Sequence, residues 1–291
     1  MAIEIKNLTH VYQEHSHART ALQSINLTIP TQQITAIVGK TGSGKSTLIK
    51  HLNGLLQPTT GSVWLDHLQL TARSSARDLQ QVRRKVGMVF QNPGRQLFAK
   101  TVLADVMSGP LALGMERTTA QRQAQRALEL VHFPVALKDQ DPVLLSGGQQ
   151  RRAAMAGVLV LNPQVVIFDE PTAGLDGQGQ RELEELLQTL HAEGRTLIVV
   201  THEMELVARL ASQVIVLAAG ELAFTGTPQS LFTEHQELMT ATNLLLPEPL
   251  RLAQQLAPQA ASTALPLTEA ELQRWLLRQL GKDERHGTAT K

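Results

Sequence analysis

The 291-residue sequence contains no cysteine. That excludes disulfides, thiol nucleophiles and cysteine-rich zinc sites together, and it fits a reducing compartment. Aromatic residues make up 3% of the chain, too few for the stacking platform of a single-strand nucleic-acid binder. Neither sign of charge is in excess. Lys plus Arg is 27 against 26 for Asp plus Glu, a net charge of +1, so the chain is not built to coat nucleic acid. No segment reaches the roughly 20 unbroken apolar residues of a membrane helix. The nearest run, 158–168, is split by Asn162, Pro163 and Gln164. The opening stretch MAIEIKNLTH has no apolar signal-peptide core. These absences lead us to expect a soluble, cytoplasmic chain that could still sit on a membrane protein.

What is present is a globular composition, 42% hydrophobic and 18% charged, at a length that suits one large domain or two modest ones. Ile3, Ile5, Leu8 and Val11, then Ile25, Leu27 and Ile29, alternate as two antiparallel strands would. Residues 34–38 form a short β-branched run that enters GKTGSGKST, and residues 48–56 follow with helical character. Further strands are expected near 63–65 and 86–90. From 101 to 145 the pattern changes to helix, with Ala124, Leu128 and Val131 at helical spacing. Ser146 is a candidate N-cap for a second helix. Residues 165–168 and 196–200 are fully apolar, the mark of parallel strands buried on both faces. Helices are expected at 182–190 and 204–211, and a hairpin at 214–217 and 221–224.

After residue 231 the strand pattern stops. Residues 233–255 read as helix interrupted by Pro247 and Pro249, and 257–266 as a linker. Thr268 and Glu271 have capping-box spacing before a helix whose apolar face carries Trp275, Leu276 and Leu280. The last ten residues are polar and expected to fray. The fold expected is α/β, with a mostly parallel sheet, an N-terminal antiparallel β part, a helical insert at about 98–160 and a C-terminal helical extension over 231–291.

Gly39, Lys40, Thr41, Gly42, Ser43, Gly44, Lys45 and Ser46 satisfy G-x-x-x-x-G-K-[ST] between a strand and a helix, the context the motif requires. Glycines let backbone N–H groups curl around an anion, and the helix N-terminus points at the same phosphates. Lys45 supplies a cation for the β- and γ-phosphates, and Ser46 a hydroxyl for Mg²⁺. Thr47 completes the candidate ATP-binding set. Asp169 and Glu170 end the strand 165–168, where ligands of open α/β sheets bind. Asp169 could hold Mg²⁺ through water, and Glu170 could deprotonate an attacking water. A lone Asp-Glu pair is more often two solvated acids; the phosphate loop's need for a metal partner favours the chemical reading.

Four more segments fall in register with these: Leu145-Ser146-Gly147-Gly148-Gln149, Gln91 after the strand 86–90, Ala173-Gly174-Leu175-Asp176, and His202 after the strand 196–200. In this order the motifs resemble the ATP-binding-cassette ATPases over roughly residues 1–231. The resemblance implies a P-loop ATPase that packs head to tail with a second cassette. Each ATP would lie between the phosphate loop of one and the Leu145–Gln149 signature of the other. It implies Glu170 as general base, His202 at the γ-phosphate, Lys45 on the phosphates, Gln91 at Mg²⁺ and water, and Asp176 across the dimer interface. Tyr12, the only tyrosine, stands where the family stacks an aromatic on adenine, the favoured expectation over its simply covering a strand edge.

A finer resemblance rests on Gln91-Asn92-Pro93, Gln96-Leu97-Phe98, Thr101-Val102, Asp105-Val106, Gln149 to Arg152 and Asp169 to Asp176. These are similar to the ATPases of energy-coupling-factor importers, which take up vitamins and transition-metal ions. Arg151-Arg152 and the intact Pro171 to Asp176 run look like the second ATPase of the heterodimeric type. The resemblance implies a second ATPase, a transmembrane coupling subunit and a substrate-binding membrane subunit as partners, no nucleic acid, a place on the cytoplasmic face of a bacterial membrane, and dimer contacts from the C-terminal extension. Three stretches depart from the group: Gly94-Arg95 where an acid usually follows Pro93, Gly177 where a proline usually follows, and the loop 13–19. Leu97 and Phe98, ringed by Arg95 and Lys100, suit a groove that receives a partner helix; packing inside the insert is the competing expectation. Other readings of the cassette are a different transporter subunit, a DNA-repair or chromosome ATPase, and a ribosome-associated protein. The absence of coiled coil and cysteine zinc sites weighs against the second, and the single phosphate loop against the third.

Overall fold

The computed structural model describes residues 2–14, 17–91, 93–258 and 265–286. Two strands, β1 (Ala2–Glu14) and β2 (His17–Pro30), pair antiparallel, and β4 (Thr60–Leu65) and β5 (Leu68–Leu70) extend them into a four-stranded sheet. The spacing of apolar residues in β1 and β2 is explained by two bulges. Asn7 (φ 48°) inserts one residue between Ile5 and Leu8, and Ser24 (φ 48°) separates Leu22 from Ile25. The bulges return Ile5, Leu8, Leu22 and Ile25 to one buried face.

The second sheet has six strands in the order β10-β9-β3-β8-β7-β6. Here β3 is Ile34–Val38, β6 Val86–Val89, β7 Val165–Asp169, β8 Thr196–Val200, β9 Gln213–Ala218 and β10 Glu221–Gly226. The first five are parallel, and β10 closes the edge as a hairpin with β9. Every residue of β3 and β8 is buried, which is why these strands read as unbroken apolar runs. Helix α1 (Lys45–Leu52) follows β3, and α2 (Ala76–Lys85) precedes β6. The insert holds α3 (Val102–Ala112), α4 (Arg117–Leu130) and α5 (Gly147–Leu159). Next come α6 (Gly177–Ala192) and α7 (Met204–Leu210).

Several elements differ from the sequence pattern. Helix α2 buries only Val82, so it has no apolar stripe; a Ser75–Asp78 capping box starts it instead. Helix α3 contains Pro110, which masks its periodicity. Helix α6 begins at Gly177, five residues before the expected start at 182, because the Asp176 carboxylate accepts from Gly179 N at 2.8 Å. The expected helix over 233–255 is instead α8 (Pro228–Glu234), α9 (Gln236–Ala241) and α10 (Glu248–Leu256). Helix α11 (Glu269–His286) starts on the expected Thr268–Glu271 box, with Glu271 Oε2 accepting from Thr268 N at 3.1 Å. Leu231, Phe232, Met239, Leu250 and Trp275 share one apolar cluster with Ala36, Val38, Val214 and Val216. The C-terminal helices therefore pack directly on the parallel sheet. The expected linker residues 259–264, Asn92, the side chains of Arg95 and Leu280, and the final residues 287–291 lie outside the described set.

Helix α1 carries a buried titratable group. His51 is 0% exposed. Its Nδ1–H donates to the Thr47 carbonyl at 2.8 Å, and its Nε2 accepts from His10 Nδ1–H at 3.2 Å. Burial pushes the imidazole down to about 4, with the Thr47 carbonyl opposing. The folded value lies below the unfolded one, so the unfolded chain takes up a proton first. Stability is therefore present above pH 6.5 and lost as pH falls toward 4, by about 3 kcal/mol for this group. Urea midpoints measured from pH 7 to 4 should fall accordingly, and His51→Gln should flatten that fall. An equal slope in the variant would exclude His51 as its source.

Candidate functional site

The turn from β3 to α1 has no side-chain cap; Gly44 takes the N-cap position at φ 104°. Glycine is demanded here by neighbours as well as by dihedral angle. A Cβ on Gly39 (φ 144°) would lie 2.3 Å from the Leu217 carbonyl oxygen, and one on Gly44 2.7 Å from that of Ala21. The Lys45 ammonium is held over the loop, donating to the Gly39 and Lys40 carbonyls at 2.6 and 3.2 Å. The Ser43 hydroxyl is buried inside the same loop with no partner.

A cavity of about 410 Å³ opens beside this loop. It gathers Tyr12, Thr41, Gly42, Gly44, Lys45, Ser46, Thr47, Gln91, Asp169 and Glu170, all anticipated from the sequence. Gly39, Lys40 and Ser43 form the loop behind it. Arg19, Ala21 and Val200 also line the cavity and were not anticipated. The signal for Arg19 lay in strand pairing rather than in a motif: it stands opposite Tyr12 in the β1–β2 register.

Asp169 and Glu170 end β7 at the mouth of the sheet. Burial first, and then the Glu170 charge, push the Asp169 carboxyl up, against Lys45 and Lys50. Burial pushes Lys45 down, against Glu170 and Asp169. Both directions are those of charges short of a counter-ion, and a divalent cation beside Asp169 would reverse its shift. Glu170 adopts φ 49°, a left-handed conformation rare for a non-glycine residue. Its N–H is pinned to the Val200 carbonyl at 2.9 Å, and its carboxylate accepts from His202 Nδ1 at 2.8 Å. A carboxylate can only accept, so the proton of His202 sits on Nδ1 and leaves Nε2 free to face outward; the ring is exposed.

The segment 145–149 lies elsewhere. The Ser146 hydroxyl accepts from Gln149 N at 3.3 Å and the Gln149 amide oxygen accepts from Ser146 N at 3.0 Å, a reciprocal cap on α5. Leu145 is buried beneath it. A Cβ on Gly147 or Gly148 would meet nothing within 4 Å, so no neighbour within this chain requires glycine at either position. Gly148 and Asp176 line a separate cavity of about 400 Å³, and no signature residue lines the phosphate-loop cavity. Arg151 ties the two regions together, donating to the Pro171 and Ala173 carbonyls at 3.1 and 2.7 Å. Among the described residues no cluster of three His, Cys, Asp or Glu side chains could hold a metal by itself.

Removing the loop's cation should remove most of its hold on a polyphosphate. Lys45→Ala should weaken MgATP binding by about a hundredfold or more, as expected when one partner of a desolvated charge pair is truncated. Isothermal titration showing unchanged affinity would take the phosphate role away from Lys45.

The ABC transporter family model matches residues 22–173. The energy-coupling factor transporter ATP-binding protein EcfA2 of Latilactobacillus sakei is 44% identical over 283 residues, spanning 96% of this chain and 97% of that protein. The EcfA2 of Symbiobacterium thermophilum is 45% identical over 257 residues, 88% of each. Among solved structures, the dimeric post-hydrolysis state of the ATP-binding cassette MJ0796 bound to ADP and Pi is 31% identical with a TM-score of 0.71, over 78% of this chain and 98% of that one. The cbiO1 of Clostridium perfringens, part of the ABC transporter complex cbiONQ, is 35% identical with a TM-score of 0.70, over 84% and 95%. With its phosphate loop, acidic strand end and separate signature helix, the chain belongs to the ABC transporter family, as an ABC ATPase similar to the energy-coupling-factor ATP-binding proteins.

Proposed function

We propose that this chain is the second ATPase of an energy-coupling-factor importer and hydrolyses ATP to power uptake of a vitamin or transition-metal ion. It would work at the cytoplasmic face of the membrane with a second ATPase, a transmembrane coupling subunit and a substrate-binding membrane subunit. The observation that carries the reading is 44% identity to an EcfA2 protein over 96% of the chain, joined to a site in which Tyr12, Lys45, Ser46, Gln91, Asp169 and Glu170 border one cavity. Among the described residues no helix is long and apolar enough to cross a membrane, so in this reading attachment runs through partners.

The residues present fit ATP and Mg²⁺. Gly39 and Gly44 leave no room for side chains where backbone must approach phosphate, and Ser43 offers a buried unpartnered hydroxyl. Ser46 and Asp169 supply a hydroxyl and a carboxylate, the small set that suits a magnesium ion sharing phosphate oxygens; Asp169 would hold it through water, with Gln91 alongside. When bound, the ion neutralises charge on the β- and γ-phosphates. Lys45 holds the same phosphates. Glu170 takes the proton of the attacking water as its oxygen bonds to the γ-phosphorus and the bond to ADP breaks. His202 holds the Glu170 carboxylate from Nδ1–H, and donating to the γ-phosphate as well would require a second proton on its outer nitrogen. Tyr12 stacks on adenine.

The signature acts in trans. Gly147 and Gly148 are unconstrained by this chain, as expected if a second cassette's nucleotide approaches the α5 N-terminus, and Asp176 lies exposed beside them. Co-expression with the coupling subunit tests the assignment. The chain should co-purify in detergent with that subunit and a second ATPase, and the complex should hydrolyse ATP. A chain that purifies alone from a host expressing all partners would refute it.

A further inference from the structure

Tyr12 does not stand alone in the cavity wall. Its ring packs edge-on against His10, centroids 4.5 Å apart at 78°, and His10 packs edge-on against His51 at 4.7 Å and 74°. His10 and His51 are also hydrogen-bonded, at 3.2 Å. His51 returns to α1 through the Thr47 carbonyl, and the Tyr12 hydroxyl bonds the Thr47 hydroxyl at 3.3 Å. The four residues form a closed ring that joins β1 to the first turn of the phosphate-loop helix. Both imidazoles are buried, His51 completely, so neither touches a ligand in the cavity. β1 needs such support here, since its pairing register shifts on both sides of His10.

We propose that the His10–His51 pair positions Tyr12, fixing the tyrosine's aromatic face at a set place relative to the phosphate loop. The pair thereby tunes affinity for the purine base of the nucleotide and leaves the hold on its phosphates unchanged. This inference rests on the reading that Tyr12 stacks on the base. His10 and His51 act through Tyr12 and are positioning residues. Protein-side support of this kind matters because a base stacks only on a face that is already in place, and ordering that face at the moment of binding costs affinity.

The test separates base from phosphate. Binding of MgATP and of magnesium tripolyphosphate, which has no base, is measured for the full chain and for His10→Ala, His10→Phe, Tyr12→Ala and the double variant His10→Ala with Tyr12→Ala. His10→Ala should weaken MgATP about tenfold, the scale of one base–aromatic stack, and leave tripolyphosphate unchanged. His10→Phe restores a ring of similar width and should recover most of that loss. The double variant should bind MgATP no worse than Tyr12→Ala alone, because the effect passes through Tyr12. Unchanged tripolyphosphate binding also shows that each variant is folded. Additive losses, equal losses for both ligands, or an unaffected His10→Ala beside a weakened Tyr12→Ala would overturn the positioning role and spare the stacking reading. A Tyr12→Ala variant that keeps full MgATP affinity would overturn both.

Discussion

Glu170→Gln should bind MgATP as well as the parent chain and hydrolyse it a hundredfold or more slowly, the usual scale for losing a positioned general base (about 10² to 10⁴). The geometry explains why the substitution isolates chemistry from structure. The backbone at 170 is fixed by Val200 and by its left-handed conformation, neither of which depends on the carboxylate. The amide oxygen of glutamine can still accept from His202 Nδ1. What disappears is the ability to take a proton from water and one negative charge beside Asp169. Because Glu170 is the second cause raising the Asp169 carboxyl, its neutralisation lets Asp169 ionise more readily, which favours a divalent cation. The same change removes the largest charge support of the Lys45 ammonium. These two consequences oppose each other, so affinity should stay close to the parent value. Bound nucleotide that is not turned over should hold two cassettes together, giving a dimer by light scattering in MgATP. Hydrolysis at a near-normal rate would move the base elsewhere, with His202 the next residue to test.

Much of this site was legible because its chemistry demands residue types at short sequence spacing. The phosphate loop needs glycine where Leu217 and Ala21 carbonyls crowd it, and the acids need the end of a buried strand. The parallel strands were legible from unbroken apolar runs. What the sequence hid was whatever depends on pairing between distant segments. Arg19 enters the cavity only because β2 folds back opposite Tyr12. His10 and His51 lie 41 residues apart, and nothing local announces that they meet. Helix α2 was hidden for a different reason: its exposed face leaves it almost no apolar signal. Asp176 shows how one residue serves two levels, since its carboxylate caps α6 whatever else it meets across an interface.

The surface proposed for the coupling partner was half legible. The sequence offered Leu97 and Phe98 as a pair for a partner groove, and the structure separates them. Leu97 packs against the apolar core of the insert, while Phe98 is 78% exposed. The buried Asp105 carboxylate accepts from the N–H groups of Phe98 and Ala99, both at 2.7 Å, and so fixes the turn that turns the ring outward. Val143 and Leu144 are 80% and 77% exposed on the turn before the signature. Gln150 links the two stretches, donating to the Pro142 carbonyl at 3.0 Å and lying against Gly94. Exposed apolar side chains grouped in this way suit the proposed partner surface. Phe98→Asp should therefore leave the isolated chain's melting temperature and MgATP affinity within the small range of surface substitutions, about 0.5 kcal/mol. Affinity for the membrane coupling subunit should fall about thirtyfold or more, the loss of one aromatic anchor, and uptake into vesicles should stop. Leu97→Asp would instead set a charge against the core of the insert and destabilise it, so Phe98 is the informative position. Normal uptake by the Phe98→Asp complex would place the coupling contact elsewhere, and a lowered melting temperature in the isolated chain would show that Phe98 serves the fold.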